Sequence, residues 1–207
     1  MTRLGSLLCC ATLGTGFLAC GGNDTTTKTP IEIVPLDDAV PGWTVDQSKS
    51  PGGQARIATS ELGVEALIDG GSENYFQEPN IPKTFVWQNY VNSTLAAAPD
   101  GATVRLYIFE MPSADEAQGI YTAILQRSSH SSRTGMPGDW EPTTPTLGTE
   151  SRIQDTASQW WINFHKDVFY VEVLLDPSYG PPPDYALGNA ETKQETVRFA
   201  QAVATRI

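Results

Sequence analysis

Histidine, cysteine and clustered positive charge are all scarce in this chain. It has two histidines, His130 and His165, and no pair of ligand-type residues at metal spacing. Asp167 and Asp176 are separated by an apolar strand and form no Ca²⁺ loop. No metal and no cofactor is therefore expected. The three cysteines, Cys9, Cys10 and Cys20, all fall within the first twenty residues. The rest of the chain can form no disulfide and must be held by its core. Thirteen Lys and Arg face 24 Asp and Glu, for a net charge of −11, and the basic residues do not cluster. That argues against nucleic acid and against anionic lipid as electrostatic partners. There is no G-x-S-x-G elbow, no S-x-x-K and no G-x-G-x-x-G loop. With two histidines to draw on, nothing in the spacing favours a Ser/His/Asp arrangement. The N-terminal apolar run, residues 4–18, is too short to span a bilayer and is followed by polar, Gly-rich sequence.

That run reads as a leader, with Arg3 as its basic residue. It ends in Phe17-Leu18-Ala19-Cys20, which resembles the lipobox of bacterial lipoproteins, with Phe17 where Leu is usual. The resemblance implies a signal peptide over 1–19 and a Cys20 that becomes the mature N-terminus and carries acyl chains such as palmitate. It also explains why a secreted chain would keep a single cysteine. The alternative is an ordinary leader cut near Cys20. Gly21 stands where an Asp would resemble an inner-membrane retention signal. A cell-envelope location follows, at the outer membrane, facing the periplasm or the cell surface. Residues 20–37, rich in Gly, Thr and Pro, read as a flexible tether. Ile31, Ile33 and Val34 are placed to pin its end to the globular part, expected over 38–207.

The clearest globular piece is residues 102–127. Val104, Leu106 and Ile108 alternate with Arg105, Tyr107 and Phe109, the period of a strand covered on both faces. Pro112 stops it, and Ser113 with Glu116 forms the S-x-x-E capping box of a helix. Ala117, Ile120, Tyr121, Ile124 and Leu125 give that helix one apolar stripe. Gly119 inside it predicts a close approach to the sheet. Residues 84–92 read as a strand, with Pro99-Asp100-Gly101 as the turn that makes it an antiparallel neighbour. Residues 158–176 read as a hairpin turning at Lys166-Asp167. Trp160, Ile162 and Phe164 share one face there, as do Phe169, Val171, Val173 and Leu175. His165 is assigned to the hairpin end. A last helix is predicted over about 190–205, with Ala190, Val197, Ala200, Val203 and Ala204 as its stripe and Thr192-x-x-Glu195 as a second capping box. Residues 60–76 admit two readings: Leu62, Ala66 and Leu67 suit a helix capped by Ser60, while Val64, Ala66 and Ile68 suit a strand; Gly70-Gly71 breaks either, and helix, break, helix is the favoured one. Trp43 is assigned to the core. The fold class is α+β: one domain, a mostly antiparallel sheet and about three helices packed on it.

Few residues suggest chemistry. Asp69 and Glu73 flank the Gly pair and could share a face, as an acid/base pair would need. Trp140, in the long loop 128–150, and Tyr179 and Tyr185, beside the Pro-rich loop, could line a binding surface. The reading is a membrane-anchored, non-catalytic binding module for an envelope protein or small ligand. The alternatives are a hydrolase using Asp69 and Glu73, and a purely structural envelope protein.

Residues 67–76, an apolar pair followed by Asp69-Gly70-Gly71-Ser72-Glu73 and an aromatic, resemble a motif in an uncharacterised family of exported bacterial proteins. Tyr90, and then Tyr107, Met111, Ser113, Ala117, Gly119, Ile120 and Tyr121, match its following segments. The likeness covers roughly residues 62–125, with a weaker echo over 164–173. The chain departs from the pattern in Ser72, where Ala is common, and in a long insertion before Ile153. The resemblance implies an exported domain and carries no activity with it. The layout is also similar to the Mog1/PsbP-like α+β fold, an antiparallel sheet with helices on its faces and a Pro-Gly-Trp entry.

Overall fold

The fold grows outward from the strand at the middle of the sequence. In the computed structural model, β4 (Ala102–Glu110) pairs along its full length with β3 (Thr84–Asn92) on one side and β8 (Phe169–Pro177) on the other. Residues 28–68, 71–95, 101–127, 140–155, 159–177 and 190–207 are described. Beyond β8 lie β7 (Trp160–Lys166), β6 (Glu150–Asp155) and β5 (Glu141–Pro142). The outer edge of β3 is shared by two short strands, β1 (Thr44–Val45) and β2 (Arg56–Ala58). The result is one eight-stranded sheet with antiparallel pairing. Among the described residues four α-helices accompany it: α1 (Pro30–Ile33), α2 (Glu61–Ile68), α3 (Ala114–Arg127) and α4 (Ala190–Ala204). The α+β class, the single sheet and its antiparallel pairing are as expected.

Both faces of the sheet are covered, which is why both faces of β4 are apolar. On one face Val104, Leu106 and Ile108 join Ile162, Phe164, Val171 and Val173 under Phe199, Ala200 and Val203 of α4. Trp43 fills this layer as expected, with its ring edge-on to Phe199 at 5.7 Å. On the other face Phe85, Tyr107, Phe109, Trp161 and Tyr170 lie under Ala117, Ile120, Tyr121 and Ile124 of α3 and Val64 of α2. Residues 61–68 are helical, and the Ser60 hydroxyl accepts the Gly63 N–H at 3.2 Å as the helix cap.

Several local expectations change. Ser113 does cap α3, accepting the Glu116 N–H at 3.2 Å, but Glu116 turns back to the Ser113 hydroxyl, which donates to Oε2 at 2.7 Å. Gly119 leaves room for Asn80, whose side-chain oxygen occupies the place a Cβ would take, and not for the sheet. Thr192 is not a cap. It lies buried inside α4, accepting the Trp160 indole N–H at 2.9 Å, while Glu195 accepts from Trp43 and pairs with Arg198. The buried stripe of α4 is Thr192, Thr196, Phe199, Ala200, Val203 and Ala204; Val197 is partly buried and packs against that core, whereas Ala190 is exposed. His165 belongs to β7 and is buried; the turn falls at Asp167, whose φ of 51° is the left-handed conformation. Residues 30–37, read as the end of a tether, dock on the sheet. α1 opens on a capping box from Thr29 and Glu32, Ile33 is fully buried, and the Tyr90 hydroxyl donates to the Pro35 carbonyl at 2.7 Å.

Candidate functional site

Strand alternation fills one sheet face with hydrocarbon and leaves a line of polar groups on the other. On β8 the residues between the core valines are Tyr170, Glu172 and Leu174. On β7 they are Trp161, Asn163 and His165; on β6 they are Arg152 and Gln154. Register aligns one of each. Arg152 opposes Asn163, Asn163 opposes Glu172, Glu172 opposes Tyr107, Tyr107 opposes Trp87, and Trp87 opposes Arg56. This row crosses six strands on the α3 side of the sheet.

Glu172 is the carboxylate of the row and is 1% exposed. The Tyr170 hydroxyl donates to one of its oxygens at 2.6 Å and the Tyr75 hydroxyl to the other at 3.0 Å. Tyr75 arrives there because Gly71, at φ 83°, turns the chain into a single 3-10 turn, Ser72–Asn74. Its ring then stacks on Phe109, with 4.6 Å between centroids. Burial pushes the Glu172 carboxyl up to about 7, and the hydrogen bonds from the two tyrosines pull the other way. Burial, reinforced by the nearby Glu172, also holds both phenols well above their ordinary range, so they remain donors.

Arg152, two strands away, is the cation. It is 7% exposed. Its Nε donates to Asn163 Oδ1 at 2.7 Å and its Nη2 to the Tyr121 carbonyl. The guanidinium carbon lies 4.0 Å from the Tyr121 ring centroid and 4.8 Å from that of Trp140, an aromatic clamp. Among the described residues no carboxylate lies within ion-pairing distance of it. Burial lowers its affinity for a proton, yet a guanidinium remains charged.

Around this cation, polar atoms lack partners. Asn163 Nδ2, both side-chain polar atoms of Gln154, His165 Nε2 and the Trp140 indole N–H are buried with no hydrogen-bond partner among the described residues. Burial also lowers the His165 pKa, which keeps the ring neutral at ordinary pH. Each orphan costs on the order of 1–3 kcal/mol, and orphans gathered on one face mark a place for a ligand or ordered water. Chemically the patch offers a fixed cation, neutral donors and flat aromatic walls. That set suits a small acceptor-rich or anionic group better than it suits covalent chemistry.

The residues singled out from the sequence meet this site in one case. Trp140 is half-buried, edge-on to Trp161 at 5.1 Å, and forms a wall of the Arg152 clamp. Glu73 is exposed on its 3-10 turn. Asp69, Tyr179, Tyr185 and Cys20 lie outside the described residues. Among the described residues no three of His, Cys, Asp and Glu converge as metal ligands, and no helix is long and apolar enough to cross a membrane. Sequence reasoning missed Arg152, Asn163, Glu172 and Tyr75. The available signal was a charged or amide residue in the middle of an apolar strand: Glu172 within Val171–Leu175, and Asn163 between Ile162 and Phe164. Comparison of the chain with family models and with curated proteins returns no match.

Proposed function

We propose that this protein is a lipid-anchored, non-catalytic binding module of the bacterial cell envelope, held to the outer membrane through Cys20. Its ligand is a small molecule carrying a carboxylate or similar anionic group, taken up beside Arg152. The observation that carries the reading is a buried guanidinium, clamped by Tyr121 and Trp140, with no carboxylate in ion-pairing range among the described residues. A buried charge without a counter-charge is costly, and an anionic ligand would remove that cost. The neutral donors Asn163 Nδ2 and Trp140 Nε1 stand ready for the remaining lone pairs.

Anchoring rests on the lipobox resemblance and on the Gly- and Thr-rich segment that follows it. More than one acyl chain, at about 0.8 kcal/mol per buried methylene, would hold the chain durably. The resemblance of residues 62–125 to exported bacterial proteins agrees with an envelope location. Fractionation of cells expressing Cys20→Ala tests the anchor: the variant is expected in the soluble envelope fraction, and retention in the membrane would refute it. Thermal unfolding against small carboxylates, phosphates and sulfate tests the site. At least one carboxylate should raise the midpoint of the wild type, as a ligand of the native state must. The same compound should have little effect on Arg152→Lys, which keeps the charge but loses the planar fork that meets a carboxylate.

A further inference from the structure

A second concavity lies at the outer edge of β3, on the other side of the sheet from α3. The chain leaving α1, the turn Pro51–Gly53 and strand β2 enclose a groove of about 680 Å³. Ile31, Val34, Leu36, Val45, Ala55 and Ile57 give it its apolar lining. Leu36 is 74% exposed, Ile57 55% and Ile31 41%. These are three of the five large apolar side chains left exposed among the described residues, and they converge on one groove. Scattered exposed hydrophobics need no explanation, but convergence on a concavity marks a binding surface.

We propose that this groove takes one acyl chain of a membrane lipid whose head is uncharged. The proposal rests on the anchored reading above only for where it places the groove. Lys28 follows Cys20 by eight residues, and a fully extended chain covers about 3.3–3.6 Å per residue. The groove, which begins at Ile31, eleven residues after Cys20, is then never more than roughly 40 Å of tether from the anchor and stays within reach of the bilayer. The lining chooses the chemistry. Asp37 is its one charged residue, and Asp37 Oδ1 already accepts the Val45 N–H at 2.7 Å. With no cation in the lining, a carboxylate or phosphate head would meet only the charge of Asp37. An added peptide strand is a poor alternative, because β1 and β2 have two and three residues and present almost no free edge.

The test uses the exported chain carrying Cys20→Ala, which has no lipid of its own to fill the groove. Whether this variant leaves the membrane reports on the anchor; what it binds reports on the groove, so the two can fail separately. Monomyristoylglycerol is titrated below its micelle concentration and followed by equilibrium gel filtration. One saturable molecule per chain is expected. Leu36→Asp and Ile57→Asp, both at water-facing positions, should each weaken binding at least about tenfold with the unfolding midpoint unchanged. Myristate, the same tail with an anionic head, should also bind at least about tenfold more weakly. Absence of saturable binding, equal binding by the two Asp variants, or tighter binding of myristate would overturn the proposal. So would a wild-type dimer that the Asp variants break, since the groove would then be filled by a second copy.

Discussion

Glu172 shows how far one side chain can be moved by its surroundings. Its carboxyl stands at about 7 in the fold against an ordinary value of 4.5. The groups facing it are Tyr75, Tyr107 and Tyr170, all neutral, the Trp161 indole and the cation Arg152. A raised pKa means the fold prefers the protonated form. The stability this contributes is complete below about pH 4.5, falls as pH rises, and is gone above about pH 7. Its size is about 3 kcal/mol for a shift of this kind at a fully buried group. Glu172→Gln removes the titration, with an amide that can stay between the two hydroxyls. Measured unfolding free energies for wild type and variant should therefore lie close at pH 5, and the variant should gain on the wild type toward pH 8. Parallel profiles across that range would mean that Glu172 does not titrate as described. Charge on Glu172 also competes for Arg152, so a carboxylate ligand should bind more weakly as pH rises through about 7.

Among the elements, α3 and α4 differ in how plainly the sequence declares them. The α3 stripe of Ala117, Ile120, Tyr121 and Ile124 is regular, its cap is local, and the structure keeps both. Ser113→Ala should cost on the order of 1 kcal/mol in chemical denaturation, because it leaves a first-turn N–H without its acceptor. In α4 Thr192 looked like a cap, and Thr196 and Phe199 were missing from the expected stripe. The reason is tertiary. Thr196 satisfies its hydroxyl on the Thr192 carbonyl at 2.8 Å, and Thr192 accepts from Trp160, so both enter the core without an orphan. Phe199, in contact with Trp43 and with Tyr90 at 4.8 Å, is the plug of that layer. Phe199→Ala should cost about 3–5 kcal/mol in the same assay, several times the loss of the cap. A cost near that of Ser113→Ala would mean that α4 is only loosely seated. Gly119 teaches the same lesson: a glycine announces close approach, but only the fold says that Asn80 makes it.

For the whole molecule, period-two alternation made β3, β4, β7 and β8 legible, and the two covered faces of β4 could be read from its own residues; β2, β5 and β6 have too few alternating apolar residues to declare themselves, and β5 lies in the stretch read as a long loop. The site was not legible because it belongs to register. Arg152, Asn163, Glu172 and Tyr107 come from four strands, and nothing local says that they oppose one another. Tyr75 was passed over for the neighbouring Glu73, though only the tyrosine reaches the row. Trp140 was singled out as a loop aromatic, and its partner, the Arg152 guanidinium, could be found only in three dimensions.

If an anionic ligand completes the Arg152 patch, the indole N–H signals will show it residue by residue. The chain has five tryptophans. The indoles of Trp43 and Trp160 are already bonded, to Glu195 and Thr192, whereas that of Trp140 has no partner among the described residues. In a ¹H–¹⁵N titration of the Cys20→Ala chain with benzoate, the Trp140 resonance, assigned by its loss in Trp140→Phe, is predicted to move saturably. The Trp43 and Trp160 resonances are predicted to stay in place. A Trp140 signal that does not move, or three signals that drift together without saturation, would contradict the account.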